Sequence, residues 1–246
     1  MSRLDEHLLA LGLASTPEAA NALIVRGMVL VDDRPVTKAG TKVPKNAVVR
    51  LKSGAGERAW VSRGAYKLLK GLEVFAPKVA GAVCLDVGAS TGGFTEVLLH
   101  AGAARVYAVD VGYGQLAWTL RQDARVVVLD RCNARHLTAE NILEPLDAVV
   151  CDASFIALAK VLEVPLGFVR PGGWLVALVK PQFEVAPEFV EKGGIVRDAA
   201  AQQAAVDNVS AWLQARSGWR VQGVAESPIT GAEGNKEFLL YGSFSV

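Results

Sequence analysis

The sequence predicts an α/β protein whose larger part is a mostly parallel sheet of seven strands, preceded by a small α+β domain. Three observations predict this class. From residue 83 onward, short apolar runs typical of buried strands alternate with helical segments. A glycine-rich turn, GASTGG, follows the first of these runs and opens a helix. Roughly the first 50 residues show a different pattern, two short helices followed by short strands.

The small domain begins with a predicted helix over residues 3–13, where leucines recur at helical spacing. A second helix is predicted over about 17–26, because Ser15 and Thr16 offer an N-cap and Pro17 is favoured in the first turn. A glycine follows this helix at a position where a positive φ favours glycine. The segments MVLV, RPVT and AVVRL are then predicted as short strands.

The larger domain contains seven apolar runs that predict strands. Five of them are VCLDV at 83–87, RVYAVDV at 105–111, RVVVL at 125–129, DAVVCD at 147–152 and GWLVALVK at 173–180. Because helical segments separate these five, we expect a parallel sheet with helices on both faces. The last two runs, WRVQGVAES and EFLLYGSF, have no helix between them, so we expect an antiparallel pair at one sheet edge.

The stretch KSGAGERAW, residues 52–60, has the glycine, serine and charge of a linker. We therefore predict a first domain at 1–54, a linker at 55–61 and a second domain at 62–246. The 246 residues, 51% of them hydrophobic, are enough for an ordinary buried core.

Two features of the composition exclude other classes of protein. No run reaches the ~18 consecutive apolar residues of a membrane helix, and the N-terminus is charged where a signal peptide needs an apolar stretch. We therefore expect a cytoplasmic protein with no membrane partner. The three cysteines form no C-x-x-C pair and no His-rich cluster occurs, so we expect neither a disulfide nor a metal site.

The net charge of +1 hides an asymmetry between the two parts of the chain. Residues 1–70 carry 12 Lys and Arg against 6 Asp and Glu, whereas residues 71–246 carry 14 against 19. A basic module beside an acidic one is typical of nucleic-acid binding by the first, because neutralising phosphates drives such affinity. A basic, solvated face without a ligand is the alternative interpretation.

The stretch RLDEHLLALGLASTPEAANALIVRGMVLVDDRPVTKAGTKVP, within residues 3–51, resembles the S4-type RNA-binding domain. The resemblance implies that its helix pair and the following loop present basic side chains to structured RNA. The implied RNA-facing residues are Arg3, Arg26, Arg34, Lys38 and Lys42. Each of them could equally be a solvated surface charge, and the resemblance does not indicate which RNA is bound.

The glycine-rich turn predicts a ligand site at the switch point of the sheet. It lacks the central glycine of the dinucleotide fingerprint G-x-G-x-x-G, because Ala89 and Ser90 follow Gly88. Asp110 ends the next strand, where a carboxylate can accept hydrogen bonds from both ribose hydroxyls of NAD or S-adenosylmethionine. Asp86 favours S-adenosylmethionine, because a carboxylate repels pyrophosphate but can face a positive amino-acid end. A hydrogen bond from a neighbouring backbone N–H is an equally good interpretation of Asp86.

Five segments in order, LDVGASTGGFTEVLL, YAVDVGYGQLAW, VVVLDRCNAR, SFIAL and LVKPQFE, resemble the TlyA family over nearly the whole chain. That family comprises 2′-O-ribose rRNA methyltransferases, once described as haemolysins, with a Rossmann-like catalytic domain similar to the FtsJ-type enzymes. The resemblance implies S-adenosylmethionine as the methyl donor and 16S or 23S rRNA, or the ribosomal subunits, as the partner. The residues predicted to bind the donor are Asp86, Gly88, Ser90, Gly92, Gly93, Asp110 and Asn133. Asn133 would contact the adenine, and a turn residue bonded to its own backbone is the alternative.

The resemblance also implies a catalytic set of Lys, Asp, Lys and Glu, matched here by Lys67, Asp152, Lys180 and Glu237. A ribose hydroxyl needs positioning and a proton acceptor, and we assign Lys180 as that acceptor. A lysine is ordinarily protonated at neutral pH, and the second ammonium of Lys67 nearby would favour the neutral form. Asp152 would orient Lys180 and the hydroxyl, and Glu237 would fix Lys67. Taken singly, Asp152 as a helix cap and Lys180 as a loop charge are the simpler interpretations.

Three other functions compete with this one. A nicotinamide-dependent dehydrogenase is disfavoured by the missing fingerprint and by the lack of a histidine suited to hydride transfer. A membrane-acting haemolysin is disfavoured because no long apolar span or basic amphipathic helix occurs. An RNA-binding protein with a decayed catalytic site is harder to exclude, although all four catalytic positions are filled. The sequence leaves open which nucleotide and which subunit are modified, and the oligomeric state.

Overall fold

The computed structural model describes residues 2–14, 16–25, 27–44, 47–51, 60–231 and 234–245. Its contacts divide the chain into two compact units, Met1–Ala59 and Trp60–Val246. Most of the linker predicted at 55–61 lies outside the described residues.

In the part of the chain that the structure describes, the first unit contains two short helices and two small sheets. Its elements are β1 (Ser2–Arg3), α1 (Leu4–Ala10), α2 (Pro17–Val25), β2 (Val29–Val31), β3 (Arg34–Pro35), β4 (Lys42–Val43) and β5 (Val49–Leu51). Strand β1 pairs antiparallel with β4, and β2 lies between β3 and β5. The buried side chains of both helices join those of the strands in one core, formed by Leu4, Leu8, Ala20, Leu23, Ile24, Val29 and Val43.

The prediction of a helix over 3–13 is wrong at both ends. Arg3 lies in β1, where it faces Lys42 of β4 across the two strands. The helix ends before Gly12, which adopts the left-handed conformation at φ +66° that favours glycine beyond a helix C-terminus. The start of α2 agrees with the prediction, because Thr16 Oγ1 accepts a hydrogen bond from the N–H of Ala19 at 3.1 Å.

The second unit is built around one seven-stranded sheet. Its strands are β6 (Val83–Val87), β7 (Arg105–Asp110), β8 (Val126–Asp130), β9 (Leu146–Cys151), β10 (Val169–Val179), β11 (Trp219–Glu226) and β12 (Phe238–Phe244). Its helices are α3 (Gly64–Phe75), α4 (Gly93–His100), α5 (Trp118–Arg121), α6 (Leu158–Val161), α7 (Pro181–Glu184) and α8 (Ala199–Gln214).

The strand order is β11-β12-β10-β9-β6-β7-β8. Strands β6 to β10 pair in parallel, whereas β12 pairs antiparallel with both β10 and β11. The predicted α/β class, with seven strands and an antiparallel pair at one edge, is confirmed. Strand β10 begins at Val169, before the predicted residue 173, and its register with β9 shifts between Val169 and Trp174.

Alternate residues of the strands point to opposite faces of the sheet, and helices cover both faces. Cys84 packs in a cluster with residues of α3, α4 and α5, whereas Leu85 packs in another with residues of α6 and α8. This burial on both sides explains why the central strands are apolar throughout. Within the described ranges, no helix combines the length and apolar character needed to cross a membrane.

Candidate active site

Two adjoining cavities open at the carboxyl edge of the parallel strands. The first has a volume of about 610 Å³ and the second about 450 Å³. They share five lining residues, namely Gly88, Ser90, Asp152, Ser154 and Phe155. Sites for small ligands in open α/β sheets occur at this edge, and both volumes are in the range such ligands need.

A chain of four charged side chains lies at the first cavity. Lys67 Nζ is 2.7 Å from Glu237 Oε2 and 3.3 Å from Asp152 Oδ2, and Lys180 Nζ is 2.7 Å from Asp152 Oδ1. The order of contacts is therefore Glu237, Lys67, Asp152, Lys180. The structure thus brings together all four residues of the predicted catalytic set.

Three of these side chains are buried, since Lys67, Lys180 and Glu237 expose only 8%, 6% and 3% of their surface. Buried charges are tolerated where opposite charges and hydrogen bonds compensate the lost water. Lys180 meets this condition with three acceptors, because its ammonium also lies 3.0 Å from the backbone oxygen of Asp152 and 2.8 Å from Ser154 Oγ.

The sheet topology explains why residues so distant in sequence meet. Asp152 directly follows β9, Lys180 directly follows β10, and Glu237 directly precedes β12. These three strands are neighbours, and β12 runs opposite to the other two, so its beginning lies beside their ends. Lys67 reaches the same edge from the first half of α3.

The glycine-rich turn after β6 is shaped by close approaches of the backbone. Gly88 has a φ of +79°, and a Cβ on it would lie 3.0 Å from the Cα of Ala153. A Cβ on Gly93 would lie 2.2 Å from Ser62 Oγ. Gly88, Ser90 and Gly93 all line the first cavity.

Gly92 has a different surrounding. Its φ is +100°, and a Cβ there would lie 2.2 Å from Leu120 Cδ1 and 2.8 Å from Leu116 Cδ1. It is absent from the lining of both cavities as the described residues define them. The close packing of the turn against these two leucines therefore explains why position 92 has a residue without a Cβ.

Asp110 and Asn133 line the second cavity. Asp110 accepts hydrogen bonds from the N–H groups of Ser90 and Gly112, each at 2.7 Å, so its carboxylate joins the turns after β6 and β7. Asn133 Oδ1 accepts from the N–H of Arg135 at 3.1 Å and caps a short helical turn, which is the alternative stated for this residue. Because Oδ1 is used in this cap, the amide nitrogen is the atom of Asn133 that can contact a ligand.

Asp86 lies beneath the turn rather than in a cavity lining. Its carboxylate is fully buried, and Oδ2 accepts a hydrogen bond from the hydroxyl of Thr95 in α4 at 2.7 Å. Burial raises the pKa of Asp86 to about 7, an effect that the Thr95 hydrogen bond partly opposes. The partner of Asp86 is thus Thr95 of the adjoining helix, through its hydroxyl and also through its backbone N–H, which is the alternative stated for Asp86.

The structure places Ser154, Phe155 and Phe183 at the site, and the sequence analysis assigned no role to them. Ser154 contacts Lys180, and the ring of Phe155 lines both cavities with 90% of the residue exposed. Phe155 has a φ of +63°, and its ring centroid lies 5.2 Å from that of Phe183. The available signal was the SFIAL segment, which begins two residues after Asp152 in the sequence.

The candidate RNA-binding residues of the first unit are exposed where the structure describes them. Arg34, Lys38 and Lys42 are exposed, and within the described ranges none of the three has an ion-pair partner. Arg3 forms two contacts with Asp5, at 2.7 and 3.0 Å. Arg26 lies outside the described residues.

Comparisons with known proteins agree with this architecture. An FtsJ-like methyltransferase model matches residues 60–244, and an S4 domain model matches residues 2–49. The 16S/23S rRNA (cytidine-2′-O)-methyltransferase TlyA of Mycobacterium tuberculosis H37Rv is 50% identical over 240 residues, covering 98% of this chain and 89% of that protein. Hemolysin A of Brachyspira hyodysenteriae is 35% identical over 240 residues, covering 97% of this chain and 98% of that protein.

A solved structure extends the likeness to three dimensions. It is described as "Putative hemolysin from Streptococcus thermophilus", has 38% identity and a TM-score of 0.75, and covers 99% of this chain and 88% of that one. The likeness therefore includes both the S4 unit and the catalytic unit. The chain belongs to the TlyA family of FtsJ-like methyltransferases, which carry an N-terminal S4 domain.

Proposed function

We propose that this protein transfers a methyl group from S-adenosylmethionine to a ribose 2′-hydroxyl of ribosomal RNA, in 16S rRNA, 23S rRNA or both. The observation that carries the proposal is the chain of contacts from Glu237 through Lys67 and Asp152 to Lys180, at the edge where ligands of such sheets bind. The M. tuberculosis relative named for cytidine 2′-O-methylation of both rRNAs supports the acceptor class.

The residues around the glycine-rich turn suit the methyl donor. Asp110 retains lone pairs for the ribose hydroxyls, and Asn133 stands in the same cavity for the adenine. A Cβ at Gly88 would collide with Ala153, and a Cβ at Gly93 would collide with Ser62. Because neither glycine carries a side chain, the backbone of the turn can lie close to a small ligand. When bound, S-adenosylmethionine supplies an electrophilic sulfonium methyl group. We propose Asp86 as a support of the turn, acting through Thr95.

Lys180 is the proposed proton acceptor. As the 2′-oxygen would bond to the methyl carbon, that carbon's bond to the sulfonium sulfur would break and leave a neutral thioether. The proton of the hydroxyl would pass to the Lys180 amine, which must therefore be neutral at that moment. A neutral Lys180 leaves Asp152 paired with Lys67 across 3.3 Å, so the carboxylate keeps a cation. Ser154 and the backbone oxygen of Asp152 hold the Lys180 nitrogen in place.

The other members of the set orient this pair. Asp152 contacts both lysines and fixes their separation, and Glu237 neutralises Lys67 from the far side. With Lys180 neutral, Lys67 and the two carboxylates sum to one negative charge, which favours the protonated form of Lys180 once the hydroxyl proton has been transferred. The exposed ring of Phe155 offers a face on which the acceptor base can stack.

We assign RNA binding to the S4 domain at 1–54, joined by the linker at 55–61 to the catalytic domain at 62–246. Its proposed RNA-facing side chains are Arg3, Arg26, Arg34, Lys38 and Lys42. Arg34, Lys38 and Lys42 are exposed and have no carboxylate partner in the described ranges, so they are available to phosphates.

The test is transfer of a labelled methyl group to rRNA. The full-length protein is incubated with methyl-labelled S-adenosylmethionine and with each ribosomal subunit, or with protein-free rRNA, and the label is mapped after alkaline hydrolysis. We expect label in RNA at an alkali-resistant linkage, because a 2′-O-methyl group prevents cleavage there. Label confined to bases or to protein would contradict the proposal, as would its absence with every substrate.

A further inference from the structure

The loop after β7 exposes an unusual amount of apolar surface. Val111, Tyr113 and Trp118 expose 71%, 69% and 73% of their surface within eight residues. Val111 also lines the second cavity together with Phe155, so this exposed loop adjoins the candidate site. Exposed aromatic groups at the edge of a site are typical of an interaction surface.

The turn after β8 adds two arginines to this surface. Arg131 has a φ of +53°, and its N–H donates to the oxygen of Gly112 at 2.8 Å, which ties this turn to the loop after β7. The guanidinium carbon of Arg131 lies 4.3 Å from the centroid of the Tyr113 ring. Such stacking holds the guanidinium plane in one orientation. Arg135 follows shortly and is exposed.

Among the described residues, no carboxylate neutralises the charges of these two arginines. Several arginines of the same unit pair with carboxylates, including Arg105, Arg121, Arg125, Arg170, Arg197 and Arg216. Arg131 and Arg135 have no carboxylate partner within the part of the chain that the structure describes. The nearby Asp130 is already occupied by Arg121. Two cations that have no carboxylate partner among the described residues thus lie beside exposed rings, in the more acidic part of the sequence.

We propose that Tyr113, Trp118, Arg131 and Arg135 form a second RNA-contact surface, on the catalytic domain, which binds unpaired nucleotides next to the methylated one. We name these four residues the β7–β8 rim. The rings and the stacked guanidinium offer flat faces to nucleobases, and the free cations pair with phosphates. The inference rests on the proposed function, because it requires an RNA acceptor at the first cavity.

The combination of groups favours RNA over a protein partner. Aromatic faces beside unpaired arginines suit splayed bases joined by phosphates, and single-stranded RNA presents both at a regular spacing. An apolar protein surface would leave both cations buried without partners, which is costly. Single-stranded rRNA around the target nucleotide is therefore the ligand that this surface binds.

The test compares variants of the full-length protein in binding to an rRNA fragment at several salt concentrations. Trp118→Ala should weaken binding about ten-fold with an unchanged salt dependence, because one base stack is lost and no phosphate contact is. Arg131→Ala should also lower the slope of log K against log salt by about 1, because one phosphate contact is lost. Both variants should keep the S-adenosylmethionine affinity and the unfolding temperature of the wild type.

Leu143→Ala and Lys78→Ala are the matched controls. Leu143 is 75% exposed and Lys78 is exposed, but both precede strands, β9 and β6, and so lie at the opposite edge of the sheet. If the rim variants bind RNA like these controls, the inference is overturned. If they bind protein-free rRNA normally and fail only on assembled subunits, the surface fits a ribosomal protein and the RNA assignment is wrong. A wild type that binds rRNA through the rim yet transfers no methyl group would contradict the proposed function alone.

Discussion

Asp152 holds the ammonium of Lys180 twice, through its carboxylate at 2.7 Å and through its own backbone oxygen at 3.0 Å. The second carboxylate oxygen of Asp152 lies 3.3 Å from Lys67. One residue at the end of β9 therefore sets the positions of both lysines. Removing the carboxylate of Asp152 should therefore lower the rate of methyl transfer more than it lowers the free energy of unfolding.

Asp152→Asn tests this position. The substitution keeps the shape but leaves two ammonium groups around a neutral amide, so Lys180 loses the partner that orients it. We expect the single-turnover rate of methyl transfer to fall about 100-fold or more, the range that proton transfer by a positioned group contributes. Glu73→Gln, at a carboxylate that is 70% exposed, is the surface control. Wild-type rates for Asp152→Asn would show that the carboxylate has no part in catalysis.

Gly92→Ala and Gly114→Ala separate backbone strain from packing. Both glycines have positive φ, +100° and +68°, but a Cβ on Gly114 meets nothing within 4 Å. Gly114→Ala should cost about 1–2 kcal/mol of unfolding free energy from strain. Gly92→Ala should cost roughly 1–3 kcal/mol more, because its methyl group overlaps Leu116 and Leu120. Equal losses in urea denaturation would contradict the packing argument.

The pH dependence of stability tests the buried Asp86. Burial raises its pKa to about 7, above the ordinary value of an aspartate, so the folded state binds a proton that the unfolded state has released. The stabilisation is complete below about pH 4 and is lost as the pH rises towards 7. Asp86→Asn should therefore make the fall in unfolding free energy between pH 5 and 8 smaller, by up to about 3 kcal/mol.

Glu184 contributes a similar decrease, because burial raises its pKa to about 7 as well. The single Asp86→Asn variant should consequently flatten the pH profile only in part. Guanidinium titrations at several pH values measure the effect. A variant profile parallel to that of the wild type would mean that Asp86 is already ionised in the folded protein.

Lys42→Ala tests the S4 unit. The side chain is exposed on β4, and its backbone pairing with Arg3 does not depend on the side chain. We expect weaker rRNA binding and a salt slope smaller by about 1, the signature of one lost phosphate contact. Arg50→Ala is the control in the same unit, because Arg50 is paired with Asp33 at 2.6 Å. Identical salt slopes for all three proteins would remove Lys42 from the RNA contact surface.

Much of the fold followed from local patterns. Seven apolar runs bounded by turn residues predicted the seven strands, and the absence of a helix between the last two predicted their antiparallel pairing. Because Asp152 and Lys180 are the last residues of two of these runs, their location at the carboxyl edge could also be predicted. The ends of the first helix could not, since its leucine spacing continues beyond Gly12, whose left-handed conformation ends the helix.

The details of the site depend on contacts that sequence spacing does not encode. Gly92 and Gly93 are adjacent, yet one packs against Leu116 and Leu120 and the other faces Ser62. The direction of the Asp86 side chain depends on where α4 places Thr95. Lys67 and Asp152 are 85 residues apart, and only the assembled sheet brings them within 3.3 Å.

The most direct test of the mechanism is the single-turnover rate of methyl transfer to rRNA by Lys180→Ala and Lys180→Arg, with the S-adenosylmethionine dissociation constant measured in parallel. Arginine retains the positive charge of lysine but does not give up its proton. We predict that both variants lose methyl transfer while their donor affinity stays within about an order of magnitude (~1.4 kcal/mol) of the wild type. Full turnover by either variant would contradict the account, because the hydroxyl proton would then have another acceptor.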